Sequence, residues 1–220
     1  TVIGVKTEAG EEFFAPLMVI ATGGKSYPAT GSDGSGYTLA AAAGHTIIPP
    51  RASLVPIICE NTDKQFSALM GLSLRNVTLN LIEKKSGKTI YSELGEMLFT
   101  HFGISGPLAL TASSYMENPA GYRITIDCKP ALTAEQLDAR LLRDFEQSPN
   151  RAFGNALEAL LPRSLIPVVV AKSGIPAERR VNQMTREERQ RLGALIKAFP
   201  LTPQALRPIE EAVITAGGVS

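Results

Sequence analysis

Two stretches of this 220-residue chain nearly repeat each other: Val19-Ile20-Ala21-Thr22-Gly23-Gly24 and Val213-Ile214-Thr215-Ala216-Gly217-Gly218. Each is an apolar run without alternation that ends in a diglycine. Such runs suit strands buried on both faces, as in a parallel sheet covered by helices. After the first run, Gly31-Ser32-Asp33-Gly34-Ser35-Gly36 leads into Tyr37-Thr38-Leu39 and the four alanines 40–43. The alanines favour helix, and Gly44 is placed as its stop. The opening therefore reads as strand, glycine loop, helix. The intervening residues 25–212 are largely of another texture, so the economical reading is one α/β domain interrupted by a large insertion.

Outward from that frame, residues 2–6 and 11–14 flank Glu8-Ala9-Gly10 in the pattern of a short hairpin. Beyond Pro49-Pro50 the chain turns strand-like at 53–59, 74–85, 89–94 and 122–128, where Val77, Leu79 and Leu81 alternate with Thr78 and Asn80. Ser86-Gly87-Lys88 marks a hairpin turn, and Pro107 opens a short helix reaching about Met116. This middle reads as a small, mostly antiparallel sheet or barrel. From residue 131 the pattern becomes helical. Thr133-Ala134-Glu135-Gln136 and Thr185-Arg186-Glu187-Glu188 both match the capping box. Shorter helices are predicted at 153–161 and 163–172, and the second capped helix is predicted to stop near Phe199-Pro200. The expected division is a partial α/β domain at 1–50 and 206–220, a β-barrel-like part at 51–130 and a helical part at 131–205.

Composition removes several function classes. Lysine plus arginine number 22 against 21 acidic residues, a net charge of +1, so no strong field gathers nucleic acid or an acidic membrane. With 44% hydrophobic and 20% charged residues the chain has the composition of an ordinary globular protein. Only Cys59, Cys128, His45 and His101 carry soft or imidazole ligands, and no Cys-x-x-Cys or His-x-x-x-His pair exists, which argues against a metal site. One disulfide is compatible with the count, but two buried reduced thiols in a cytoplasmic protein fit better. No run approaches the roughly 20 apolar residues of a bilayer span. The chain starts at Thr1 and stops at Ser220 directly after a strand-like run, which leads us to expect a portion of something longer.

Among the motifs, Gly23-Gly24 stands where open α/β sheets place ligands, because a missing Cβ lets a cofactor approach the backbone. A simple corner is the competing reading. Gly24-Lys25-Ser26 resembles the tail of a phosphate-binding loop but fails on spacing, since Val19 occupies the position that loop needs as glycine. Gly31, Gly34 and Gly36 show the dinucleotide fingerprint in reversed spacing. Their N–H groups at a helix start suit an anion, while a flexible connector is the reading that local residues favour. In Gly95-Glu96-Met97-Leu98-Phe99-Thr100-His101-Phe102-Gly103-Ile104-Ser105-Gly106-Pro107, His101 stands four residues before Ser105 and is suited to proton donation near neutral pH. A structural histidine beside a capped helix explains the same spacing. Arg179, Arg180, Arg186, Arg189 and Arg191 interleave with Glu178, Glu187 and Glu188, and read as a solvated helix face rather than a nucleic-acid patch.

Taken together, residues 19–28 (VIATGGKSYP), 31–37 (GSDGSGY), Gly44-His45, Leu54-Val55-Pro56, the block from Gly95 to Pro107 and Ala216-Gly217-Gly218-Val219 resemble, in order, the BaiN/RdsA-type NAD(P)/FAD-dependent oxidoreductases, or aminoacetone-oxidase-like FAD-binding family. The resemblance spans essentially the whole chain. It implies a Rossmann-type FAD domain interrupted by a small β-barrel, similar to those of translation factors, and a helical subdomain. By similarity, Ala21, Thr22, Gly23 and Gly24 lie against FAD, with Gly31, Gly34, Gly36, Gly217 and Gly218 close by. The family's opening Gly-x-Gly-x-x-Gly element and its closing Gly-rich segment are missing from these residues, so the chain taken alone is expected to bind FAD poorly.

The function implied is transfer of hydride from NAD(P)H through flavin to a small organic acceptor. His101 is the candidate proton donor and Ser105 the candidate orienting group. The family has been associated with unsaturated 3-oxo bile-acid steroids, amines and RNA modification, and no residue chooses among these. The competing class is a non-enzymatic, flavin-bearing module that binds RNA or a protein.

Overall fold

In the computed structural model, which describes residues 2–60 and 65–220, the chain forms two compact units. One holds the residues up to Val55 together with Arg207–Ser220; the other is Pro56–Leu206.

The first unit is built on antiparallel pairs. Strands β1 (Gly4–Lys6) and β2 (Glu12–Phe14) make the expected hairpin, Gly4 facing Phe14. A 3₁₀ turn at Pro28–Thr30 precedes helix α1 (Ser35–Ala42), and at its end Gly44, with φ of 94°, donates its N–H to the Ala41 carbonyl. Strands β3 (Ile47–Ser53) and β11 (Ile214–Val219) form a second two-stranded ladder, Ile214 facing Ser53 and Val219 facing Ile47. Pro49 and Pro50 are tolerated in β3 because only one of its edges is paired.

The first unit departs from the expected sheet. The run Leu17–Thr22 is not a strand of a parallel sheet: it pairs with nothing among the described residues, and Leu17 and Val19 are each 86% exposed. Burying such a run needs paired strands at its edges and packed layers over its faces, and the described residues leave it unpaired and exposed. The second copy is a strand, but it does not end at its diglycine. The β11–β3 register shifts between Ala216 and Gly218, so the ladder carries a bulge in which Pro49 and Pro50 of β3 stand opposite Gly217. Every strand pair in the unit is antiparallel, so the Rossmann-type sheet expected from the sequence is not formed by these residues.

The second unit carries one antiparallel sheet of seven strands in the order β10-β4-β7-β6-β5-β8-β9. These are β4 (Ile57–Cys59), β5 (Ser73–Glu83), β6 (Thr89–Phe99), β7 (Gly103–Ser105), β8 (Tyr122–Asp127), β9 (Phe199–Leu201) and β10 (Pro203–Leu206). Its two ends are consecutive pieces of one stretch: β9 pairs with β8 and β10 with β4, joined through Thr202. The sheet is therefore curled, yet among the described residues its ladder runs open from β10 to β9 and is not the expected closed barrel. Residues 199–205, expected in the helical part, instead contribute to two strands, which tolerate Pro200 and Pro203 because they lie at the ends of the sheet.

Helices α2 (Gln65–Leu69), α3 (Pro107–Ser113), α4 (Ala134–Gln147), α5 (Phe153–Ala156), α6 (Ile166–Ser173) and α7 (Arg186–Lys197) complete the unit. Both capping boxes form: Thr133 and Gln136 exchange hydrogen bonds at the start of α4, and Thr185 and Glu188 do so at α7. Sheet and helices share one continuous core, which includes Leu79, Met97, Phe99 and Ile126 from strands, Leu108 from α3, Leu137 and Phe145 from α4, and Ile196 from α7. Cys59 and Cys128 are free and buried within it, and burial pushes both thiols up to about 12. No helix among the described residues is long and apolar enough to cross a membrane.

Three glycines of the 95–107 block make this packing close. A Cβ on Gly95 would lie 3.0 Å from the Leu108 side chain, one on Gly103 would lie 2.2 Å from the Ile57 carbonyl oxygen, and one on Gly106 would lie 3.0 Å from the backbone of Met97 and Leu98. Gly103→Ala is therefore expected to cost about 2–3 kcal/mol of stability, measured as a lowered urea midpoint, because β4 and β7 must separate to admit the methyl.

The two capped helices are tied by Arg189, whose Nε and Nη2 donate to the Asp138 carboxylate at 2.7 and 3.0 Å. That bond holds the Asp138 carboxyl below its usual value in the folded protein. Its contribution is present above pH about 4 and disappears as pH falls through the depressed folded value. Asp138→Asn should lower stability by about 1–2 kcal/mol at neutral pH. The difference from wild type should vanish in thermal melts in acid.

Candidate functional site

The first unit gathers its glycines around one hydroxyl and one aromatic ring. The Thr215 Oγ1 of β11 accepts the N–H of Lys25 at 2.8 Å and that of Ser26 at 3.0 Å, and its own O–H reaches Ser26 Oγ at 3.2 Å. Gly24 makes room for it: a Cβ there would stand 2.7 Å from Thr215 Oγ1. On the other side of the loop a Cβ on Gly36 would stand 2.0 Å from Thr22 Oγ1, so α1 approaches the loop at its second residue. A Cβ on Gly218 would meet the Tyr37 ring at 3.0 Å, and one on Gly23, where φ is 77°, would meet Ser32 Oγ at 2.7 Å.

This packing leaves a hollow of about 300 Å³ lined by Thr22, Gly23, Gly36 and Tyr37, with Met18, Ile20, Ala40 and Val219 as apolar walls and His45 at the edge. A second hollow of about 410 Å³ shares Tyr37 and is lined by Lys25, Asp33, Gly34, Ser35, Thr38 and Pro50. Both fall within the range of small-molecule sites. Apolar walls, a phenol and a threonine hydroxyl suit a flat heteroaromatic ring, and glycines beside it leave the backbone within reach. The residues thus fit a cofactor with a planar head.

The structure assembles some of the sequence-predicted residues and not others. Thr22, Gly23 and Gly36 line the first hollow and Gly34 the second. Gly24 and Gly218 lie directly beneath the loop and the ring, as the packing partners of Thr215 and Tyr37. Gly217 faces the β3 bulge, where a Cβ would lie 2.6 Å from the Pro49 carbonyl oxygen. Gly31, with φ of 93°, caps the 3₁₀ turn, and a Cβ there would touch nothing within 4 Å. Ala21 lines neither hollow. Within the stretch 31–36, Asp33 Oδ1 accepts the Ser35 N–H at 2.8 Å. That bond holds the Asp33 carboxyl below its usual value, so the start of α1 already faces a carboxylate.

Thr215, Tyr37, His45, Ser26 and Ser32 were not singled out as site residues. The one signal available for Thr215 is a hydroxyl inside an otherwise apolar strand of the repeated segment.

His101 and Ser105 belong to the second unit. His101 is exposed on the tight turn from β6 to β7, its ring edge-on to Phe102 at 5.0 Å. Gly103 closes that turn by donating its N–H to Thr100 Oγ1 at 3.1 Å. Ser105 faces Leu98 in the β6–β7 pair, just before α3. No hydrogen bond joins the two side chains among the described residues.

Comparison with known proteins narrows the class. Residues 51–214 match the family described as "HI0933-like protein barrel and H2TH domain", and the chain belongs to this family of BaiN/RdsA-type flavoproteins. It is 34% identical over 202 residues to the ribosomal RNA dihydrouridine synthase of Haemophilus influenzae, covering 92% of this chain and 47% of that protein. It is 30% identical over 203 residues to the enzyme of the same name from Escherichia coli, covering 92% and 48%. The 3-dehydro-bile acid delta(4,6)-reductase of Clostridium scindens is 25% identical over 224 residues, covering 96% and 51%. The chain thus spans about half the length of the curated relatives it matches.

The closest approach in the site generates a direct test. Gly36→Ala should open the contact between α1 and Thr22 and lower the thermal midpoint by several degrees, as expected for about 1–3 kcal/mol of overpacking. Trimming the hydroxyl in Gly36→Ala/Thr22→Ala should recover most of that loss.

Proposed function

We propose that this chain is the central part of an FAD-dependent oxidoreductase that carries reducing equivalents from NAD(P)H to the carbon–carbon double bond of an organic acceptor. The observation that carries the reading is the hollow bounded by Thr22, Gly23, Gly36 and Tyr37 in a chain of a flavoprotein family. Support for the acceptor class comes from the relatives' names. A dihydrouridine synthase and a delta(4,6)-reductase both saturate a carbon–carbon double bond, which makes amine oxidation the weaker option. In this reading the parts are a partial FAD-binding domain at 1–50 and 206–220, a β part at 51–130 and a helical part at 131–205.

Bound flavin supplies hydride-transfer chemistry that no side chain provides. The protein's share is to bind, shield and protonate. Met18, Ile20, Ala40 and Val219 give the hollow an apolar wall, while Thr22 and the Gly23 backbone offer polar contacts to a ring. His101 donates the proton that accompanies the hydride to the second carbon of the double bond, and Ser105 orients the acceptor's carbonyl. Addition of one hydride and one proton balances the saturation.

The test begins with the flavin spectrum of the full-length protein that carries these residues. NADH or NADPH should bleach the flavin bands, and either an unmodified ribosomal RNA segment or an unsaturated 3-oxo steroid should restore them. His101→Ala should then lower turnover by about 10²-fold or more, as for loss of a general acid. Unchanged turnover in both His101→Ala and Ser105→Ala removes those roles. A second reading, a flavin-bearing RNA-binding module without turnover, is favoured by the ribosomal RNA in two relatives' names. Nicotinamide oxidation that stays flat across acceptors, together with salt-sensitive RNA binding, would establish it instead.

A further inference from the structure

We propose that Thr215 is a positioning residue for the ligand site: its hydroxyl sets the path of the Gly24–Ser26 backbone and thereby aims Thr22 and Gly23 into the hollow. This deepens the flavin-site reading and rests on it for the identity of the ligand.

A threonine hydroxyl has one proton to donate and two lone pairs to offer. At Thr215 all three are engaged on one turn, by the Lys25 N–H at 2.8 Å, the Ser26 N–H at 3.0 Å and Ser26 Oγ at 3.2 Å. The partners lie 190 and 189 residues away in sequence, so the contact is not a by-product of local helix or turn geometry. Thr215 is fixed on its own side by the β11–β3 ladder, where it faces Ala52. The space its oxygen occupies exists because residue 24 has no Cβ. Two consecutive N–H groups are thus turned toward β11, and the face of the loop left open is the one that carries Thr22 and Gly23. Thr215 lines neither hollow, so it acts through the loop and not on the ligand. The same contact takes up the Lys25 and Ser26 N–H groups, the backbone donors that a phosphate-binding tail would offer.

The experiment compares, in the full-length protein that carries these residues, wild type with Thr215→Val, Thr215→Ser and Gly24→Ala by two readouts, the FAD dissociation constant and amide hydrogen exchange of Lys25 and Ser26 without ligand. Thr215→Val keeps the shape and removes the hydroxyl. It should bind FAD about ten-fold or more weakly, the scale of leaving donors unpaired, and should speed exchange at both amides. Thr215→Ser should stay within a few-fold of wild type on both readouts. Gly24→Ala should reproduce the Thr215→Val phenotype, and the double variant should be little worse than either alone, because both remove the same contact. Should Thr215→Val fail to fold, Gly24→Ala and Thr215→Ser still decide the question. Wild-type affinity and wild-type amide protection in Thr215→Val overturn the proposal, and so does an equal loss in Thr215→Ser, which would assign the effect to the methyl group. If the full-length wild type binds no FAD, the flavin reading falls, while the exchange comparison still shows whether Thr215 holds the loop.

Discussion

The absence of a Cβ at a handful of positions is the constraint on which both units depend. In the first unit a hydroxyl, a helix and a ring come up to the loop at distances that a methyl group would forbid, at Gly24, Gly36 and Gly218. In the second, the sheet curls and receives α3 because Gly95, Gly103 and Gly106 leave the strands bare on their crowded sides. Such contacts are intolerant in a way that ordinary apolar packing is not: a backbone oxygen 2.2 Å from a would-be carbon cannot move without taking a strand with it.

That distinction bears on what the chain reveals when read without coordinates. The capping boxes at Thr133 and Thr185 were legible because their signal is complete within four residues. The Ser86-Gly87-Lys88 turn and the alternating β5 and β8 were legible for the same reason, since period and turn chemistry are local. Leu17–Thr22 misled because an apolar run reports a need for partners and not their presence. Phe199–Leu206 misled in the opposite sense: two prolines argue against a strand, yet at the ends of a curled sheet their missing N–H groups cost little.

The candidate site was legible only in outline. The glycines of the loops could be seen, but not which of them face a hollow and which make room for another part of the protein. Gly24 and Gly36 illustrate the difference: both belong to glycine-rich motifs, and both turn out to accommodate a hydroxyl of the chain itself. The block from Gly95 to Pro107 is similar. Its distinctive spacing reflects strand closure at Gly95, Gly103 and Gly106, so the spacing by itself said little about the chemistry of His101, which stands exposed on the turn. Thr215 escaped notice because its significance lies entirely in a contact made across the length of the chain.

The way the second unit begins and ends has a consequence for how such a protein is assembled. Its first strand and its last are hydrogen-bonded neighbours, with Ile57 opposite Leu206. In the first unit, Ser53 sits opposite Ile214. The chain therefore leaves one ladder and returns to it as a pair of adjacent strands, so the module works as a cassette whose two leads are already side by side. A cassette of that kind can lengthen, shrink or be exchanged without prising apart the strands that receive it. The host pays for the insertion with loop entropy alone, and the β3–β11 ladder that carries Thr215 is left intact.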